Sequence, residues 1–233
     1  DPDNAAMLRD LAAAVTAAGI PKPLVKLNID DQWTQDLFEV STMSMPGPNG
    51  PHVIYVYIRS ANVEDPQNKQ SPLRAAGQVV FTSLRGKDAA AIQHYDLTHD
   101  PEMGSLDSFG NTETIPPYTL NGQSYPLGRL LRGSIPSFYP DPKMAQLLES
   151  QRVQPPVTID TSWLLVGHVD ETISFVKAPT PRGWAMVVND PAAAKMMLQK
   201  ESNAGRGGAK LFVGVTWLDD TWNETPAEVT IDE

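Results

Sequence analysis

Cysteine is absent from the 233 residues, which excludes disulfides, thiolate metal sites and any cysteine nucleophile within this polypeptide. No apolar stretch approaches the roughly 20 residues that span a bilayer, and the first residues lack the pattern of a signal sequence. A mature soluble chain is therefore expected, with no membrane partner. Basic character is also scarce: 18 lysines and arginines stand against 28 acidic residues, for a formal charge of -10. The basic residues are scattered without a run. Nucleic acid and anionic membrane surfaces are not expected partners, whereas a cationic substrate would be attracted. Only four histidines occur, and none forms a His-x-x-x-His pair.

What is present describes a globular protein. Apolar residues make up 41% of the chain, enough for one large domain or two small ones with a substantial core. One sequon, Asn223-Glu224-Thr225, points toward secretion; a cytoplasmic location is the alternative.

The clearest internal pattern is a Pro-started helix followed by a strand that runs into a tryptophan. Asp1-Pro2 precedes a helical stretch from about Asn4 to Ala18, stopped by Gly19 and Pro21, and an apolar strand from Pro23 to Ile29 leads to Trp33. Asp141-Pro142 opens a second helix through about Ser150, and Val157 to Ile159 leads to Trp163. Asp190-Pro191 opens a third, Ala192 to Ser202, closed by Gly205 and followed by Lys210 to Val215 and Trp217. Asp can cap the free amides and Pro suits the first helical position. Three copies of one helix-then-strand unit suggest a repeated α/β architecture. Val53 to Ile58, Gln78 to Ser83, Ile173 to Lys177 and Trp184 to Val188 are further strand candidates, rich in β-branched or aromatic residues. Met45 to Pro51, Asn62 to Pro72 and the longer Asp100 to Pro117 read as loops. The acidic end, about 220 to 233, reads as a flexible tail or cleavage junction.

Acidic residues follow two of the tryptophans. The first stretch is Trp33-Thr34-Gln35-Asp36-Leu37-Phe38-Glu39; the second is Trp163-Leu164-Leu165-Val166-Gly167-His168-Val169-Asp170-Glu171. His168 and Asp170 are two apart, so in an extended backbone both side chains leave one face and could pair an acid/base imidazole with a carboxylate. By spacing alone, a solvated strand end or a hydrogen-bonded structural histidine fits as well.

Longer strings carry more information. Asp107-Ser108-Phe109-Gly110-Asn111, Pro116-Pro117, Tyr125-Pro126-Leu127-Gly128-Arg129-Leu130, Ser162-Trp163-Leu164, Val166-Gly167-His168-Val169-Asp170-Glu171, Ser174-Phe175-Val176 and Ala178-Pro179 follow one another here. In order and approximate spacing this resembles the calcium-dependent protein-arginine deiminases, from about Lys26 to Gly214. The resemblance implies a pentein-type α/β propeller of five ββαβ-like modules, of which residues 1–233 would supply about three as a partial catalytic domain. It implies that Asp36 and Asp170 grip the substrate guanidinium, that His168 is the general acid/base, and that Trp33 packs on the arginine stem. A planar cation with five donors is best held by carboxylates on opposite edges. It also implies one calcium (Ca2+) site, with side-chain ligands Gln35, Glu39 and Glu113 and backbone carbonyls of Phe109 and Thr112, all hard oxygen donors.

The sequence departs from the family at three places. Leu37 stands where a second calcium site has a carboxylate, Asn62 lacks the accompanying aspartate, and Ala61 and Val63 replace arginines that hold the substrate backbone, with Arg59 a substitute only if the register shifts. The family's nucleophilic cysteine lies beyond the point corresponding to Glu233, so a second polypeptide carrying the rest of the catalytic domain is the expected partner, beside the arginine-containing peptide or protein substrate. The expected function is hydrolysis of peptidyl-arginine to peptidyl-citrulline and ammonia. A non-catalytic calcium-binding or arginine-peptide-binding module is the alternative from another class, and a metal hydrolase built on His168, Asp170, Asp36 and Glu39 is a third.

Overall fold

A computed structural model describes residues 4–22, 24–29, 31–96, 98, 105–136, 141–150, 152–219, 221 and 223–233. The chain divides into two compact units: Asp1–Phe109 with Ser137–Arg152, and Gly110–Pro136 with Val153–Glu233. Both are α/β with small sheets.

In the first unit, helix α1 (Ala5–Ala17) is followed by the four-residue α2 (Thr34–Leu37), then strands β1 (Phe38–Gly47), β2 (Gly50–Arg59) and β3 (Ala89–Ile92) and helix α3 (Pro142–Glu149). β1 and β2 form a hairpin and β3 joins β2 in parallel, giving the order β1-β2-β3. The loop expected at Met45 to Pro51 is the closed end of that hairpin, with Pro46 opposite Pro51. Prolines are tolerated there because β1 is an edge strand and β3 pairs only from Tyr55 onward. Between β2 and β3 the chain is helical, a 3-10 turn at Ala75–Gln78 and a π turn at Val80–Leu84. The strand expected at Gln78 to Ser83 is thereby corrected. Val79 and Val80 are both buried, which a strand with alternating faces could not achieve on one core.

The strand expected at Pro23 to Ile29 is also corrected. Residues 24–29 carry no ladder, with Val25 and Leu27 exposed; Pro23 lies outside the described residues. α1 begins after Asn4, and Gly19 closes it at a φ of +67°. Asp1-Pro2, its expected cap, lies outside the described residues. α3 starts as its sequence predicts: Asp141 accepts from the Lys143 and Met144 amides at 2.9 and 2.8 Å, ahead of Pro142.

The second unit holds β4 (Thr112–Ile115), β5 (Tyr118–Leu120), β6 (Gln123–Tyr125), β7 (Arg129–Ser134), β8 (Val157–Asp160), β9 (Ile173–Lys177), β10 (Trp184–Val188), α4 (Pro191–Glu201), β11 (Lys210–Leu211), β12 (Thr216–Leu218), β13 (Glu224–Pro226) and β14 (Val229–Thr230). β4 pairs antiparallel with β7, and β7 parallel with β8. This repeats the pattern of the first sheet. In chain order each sheet reads strand, strand, helical connection, strand. β9, β10, α4 and β11 run in the same order, but β9 and β10 form a separate pair and β11 pairs with β14.

The third Pro-started helix follows its expected course: Asp190 accepts from the Ala193 amide at 2.9 Å, and Gly205 at φ +80° interrupts the chain beyond α4. The single strand expected at Lys210 to Val215 is split instead into β11, a turn and β12. The long loop expected at Asp100 to Pro117 contains a 3-10 turn, Phe109–Asn111, and β4; residues 100–104 lie outside the described residues. The end of the chain is not structureless either. Asp219 Oδ1 accepts from the Thr221 and Asn223 amides at 2.8 and 3.0 Å, reversing the chain so that β13 pairs with β12. Strands of two or three residues are too short to show alternation, so no period marks them in the sequence.

Candidate active site

Each set of site residues emerges from the same local device, a short helical turn that runs directly into a strand. In the first unit α2 leads into β1; Phe109–Asn111 leads into β4; and a 3-10 turn at Val169–Glu171 is followed by β9. Such turns leave backbone amides unpaired at their N-termini and favour acidic side chains there.

α2 presents four of the expected residues. Trp33 precedes it and is 61% exposed, leaving its ring open to solvent, and Gln35 is exposed too. Asp36 and Glu39 are half-buried, and Leu37 is a core residue at 1% exposure. An apolar side chain where a carboxylate was expected thus has a packing role. Asp36 Oδ2 accepts from Arg74 Nη1 at 2.9 Å. Arg74 also forks onto Asp31, and these ion pairs outweigh the depressing effect of burial, so its pKa is raised. Asp31 and Arg74 were not singled out in the sequence. The only hint is an acid two residues before Trp33, and nothing in the local pattern marks Arg74.

Arg59 is corrected as a candidate for holding substrate. It is 2% exposed, and its guanidinium is spent on Gln93 Oε1 at 2.6 Å and the Arg74 carbonyl at 2.7 Å. Burial pulls its pKa down, partly offset by Tyr95. Gly77 makes room for it: a Cβ there would lie 2.7 Å from Arg59 Nε. Phe109, an expected carbonyl ligand of the same unit, is fully buried.

In the second unit the His168 and Asp170 pair does not lie on an extended strand. Gly167 at φ +86° turns the chain, and His168 becomes the N-cap of Val169–Glu171. The His168 amide donates to Glu171 Oε1 at 2.8 Å, while the imidazole accepts from the Glu171 amide. This reciprocal box holds the ring of His168, a residue only 8% exposed, to the turn that follows it. The accepting nitrogen cannot carry a proton, so in the neutral ring the other nitrogen does. Glu171 was quoted in the sequence string without a role; the signal missed was the three-residue spacing of a capping box.

Glu113, on β4, is where the second unit concentrates charge. Burial first, and the nearby Asp170 carboxylate second, push its pKa up to about 7. Thr112, beside it, is fully buried and its hydroxyl oxygen has no hydrogen-bond partner. Among the described residues no three histidine, aspartate or glutamate side chains gather as a metal site. The expected calcium set contains only two carboxylates, Glu39 and Glu113, the remaining donors being an amide and two carbonyls. A partly desolvated carboxylate close to a second one is chemistry that a hard cation relieves, so Glu113 and Asp170 suit one; the Thr112 side chain, next along β4, leaves the opposite face of the strand. The other expected ligands, Gln35, Glu39 and Phe109, belong to the first unit.

Comparison with known proteins gives a consistent result. The family model described as protein-arginine deiminase (PAD) matches residues 2–233. The chain is similar to human protein-arginine deiminase type-4, 35% identical over 198 residues, covering 81% of this chain and 27% of that protein. It is 34% identical to the human type-3 enzyme over 197 residues, with 83% and 27% covered. It is 32% identical to mouse type-4 over 231 residues, with 95% and 32% covered. The chain therefore spans about a quarter to a third of the length of the curated relatives it matches.

Proposed function

The chain belongs to the protein-arginine deiminase family, and from that membership we propose that it forms part of an enzyme that hydrolyses peptidyl-arginine to peptidyl-citrulline and ammonia. The family match from residue 2 to residue 233 carries this reading. Asp36 and Asp170 are the carboxylates that hold the substrate guanidinium, and Trp33 supplies an exposed aromatic face for the arginine stem. The alternation of strand, strand, helix and strand supports a propeller of five such modules, about three of them within residues 1–233.

The reaction needs a thiolate that these residues do not contain. It would come from the rest of the catalytic domain, since these residues cover about a quarter to a third of the length of the relatives they match. Exposed apolar residues in the second unit, Leu165, Met196, Met197 and Trp217 among them, are compatible with cover by that remainder. The thiolate attacks the guanidinium carbon, and the N–H of His168 protonates the departing ammonia. The same ring then takes a proton from water as it releases citrulline from the sulfur. Calcium, held by Gln35, Glu39, Glu113 and the carbonyls of Phe109 and Thr112, would neutralise carboxylates next to the substrate acids.

Citrulline formation by the complete enzyme, with and without added calcium, tests the proposal. Calcium-stimulated product that disappears in Asp36→Ala and Asp170→Ala is expected. No citrulline with every partner chain present would favour a binding module, and undiminished turnover in either variant would overturn the site assignment.

A further inference from the structure

Asp36 is held by a neighbour of its own unit. Arg74 Nη1 donates to Asp36 Oδ2 at 2.9 Å, while Nε and Nη2 donate to the two oxygens of Asp31 at 2.9 and 2.8 Å. Asp31 Oδ1 also accepts from the Trp33 amide at 2.9 Å. One guanidinium thus ties both acids and, through Asp31, the tryptophan backbone. That bracing matters because residues 31–36 have little regular structure of their own, only the start of a four-residue helix.

Arg74 is itself fixed from behind. Its carbonyl accepts from Arg59 Nη2 at 2.7 Å, and Arg59 is anchored to Gln93 and to the central strand of its sheet. Rigidity therefore passes from β2 through Arg59 and Arg74 to Asp36. The charge count leaves room for a ligand: two carboxylates face one guanidinium, so a net negative charge remains. Asp36 Oδ1 takes no hydrogen bond from the described residues. A second guanidinium at Oδ1 would complete the charge balance without displacing the first.

We propose that Arg74, anchored by Asp31, is a positioning residue for deimination, holding the Asp36 carboxylate and Trp33 in the orientation that a substrate guanidinium needs. The inference rests on the reading of Asp36 as a guanidinium ligand. Its effect is one of alignment: a carboxylate free to turn about its side-chain torsions spends less time in line with the reacting carbon. Lysine cannot replace Arg74, since an ammonium does not fork onto two carboxylates through a planar set of donors.

Steady-state citrulline formation by the complete enzyme, with kcat and KM separated, supplies the test. Arg74→Ala, Arg74→Lys and Asp31→Asn are each expected to lower kcat/KM for a peptidyl-arginine substrate by about 10- to 100-fold, with part of the loss in kcat. In an Asp36→Ala background, Arg74→Lys is expected to cost less affinity for an arginine peptide in calorimetry than it does with Asp36 present, because its main route is through Asp36 and only the Asp31–Trp33 arm remains; an equal loss in both backgrounds overturns the inference. Unchanged or raised kcat/KM in Arg74→Lys or Asp31→Asn, beside an inactive Asp36→Ala, overturns this inference and leaves the deiminase reading intact. Full activity in Asp36→Ala overturns both. If Arg74→Ala does not fold, the lysine and asparagine variants decide the matter, with their melting temperatures measured alongside.

Discussion

Replacing Glu113 by glutamine separates the physics of the second unit from its assignment to calcium. The carboxyl group holds its proton up to about pH 7 in the folded protein, against 4.5 for the free side chain. An acid with a raised folded pKa favours the fold while protonated: the contribution is fully present below about 4.5 and is lost as the pH rises through about 7. The shift of about 2.5 pH units, discounted for the partial exposure of the group, corresponds to about 1–2 kcal/mol. Glutamine matches the neutral acid in shape. Without calcium, Glu113→Gln should therefore have no effect on stability near pH 4 and should stabilise the protein by about 1–2 kcal/mol near pH 8. At about 2–4 °C per kcal/mol for a protein of this size, the melting temperature should rise by about 2–8 °C.

On the proposed assignment, bound calcium should reverse the sign of that comparison. At a concentration about 100 times its dissociation constant, a ligand that binds only the folded state adds about 2.7 kcal/mol. The wild-type protein should gain this at pH 8, and the glutamine variant, lacking a charged ligand, should gain much less. Thermal unfolding at pH 4 and pH 8, with calcium and with chelator, supplies all four comparisons. A melting difference between variant and wild type that is the same at both pH values would refute the account of Glu113; equal calcium stabilisation of the two proteins would refute its role as a ligand.

Other positions give independent checks. Gly128 adopts φ +75°, and a Cβ there would lie 1.9 Å from the Ile115 carbonyl oxygen; Gly128→Ala should destabilise the protein by about 3 kcal/mol or more in denaturant titration. Arg59→Met leaves the Gln93 amide oxygen without its guanidinium donor and strips the Arg74 carbonyl of its charged partner, the Gly77 amide alone remaining; it should cost about 1–3 kcal/mol, with citrulline formation reduced beyond what the unfolded fraction explains. Asp141→Ala removes the cap of α3 and should cost about 1–2 kcal/mol, with kcat/KM of the folded fraction unchanged. Glu171→Ala opens the box that orients His168; we expect about 1 kcal/mol of lost stability and a larger relative loss in kcat than in KM.

Local chemistry was legible wherever a residue acts on its immediate neighbours. Asp141-Pro142 and Asp190-Pro191 start helices as their sequence requires, because a cap needs only amides two or three residues away. The strands Ile173–Lys177 and Trp184–Val188 were found at their observed bounds, since they pair with each other across a short turn. Misreadings arose where distant packing decides. Val79 and Val80 have the composition of a strand, but Gly77 admits the Arg59 side chain and the segment coils around it. Residues 24–29 have strand composition and no ladder. The hairpin end at Pro46 and Pro51 was hidden by prolines that an edge position tolerates.

The repeat that organises the chain is offset from the one its sequence suggested. Helix, strand and tryptophan recur visibly because Asp-Pro is a strong local signal. The structural period instead begins at a short helical turn, continues through an antiparallel strand pair, with the β5–β6 hairpin inserted in the second, and a helical connection, and is followed by a third strand. Gln35 and Asp36, then Phe109, then His168 and Asp170 occupy corresponding starts of successive periods. A turn at such a start presents polar groups just ahead of a strand, where the ladder fixes the backbone and the side chain remains outside it. Recurrence of that device, rather than spacing along the chain, gives Asp36 and Asp170, 134 positions apart, similar local settings, each on a short helical turn ahead of a strand. It also explains why His168 and Asp170 were misread as an extended pair: on a strand they would share a face, but on a capped turn one residue is the cap and the other follows it inside the turn.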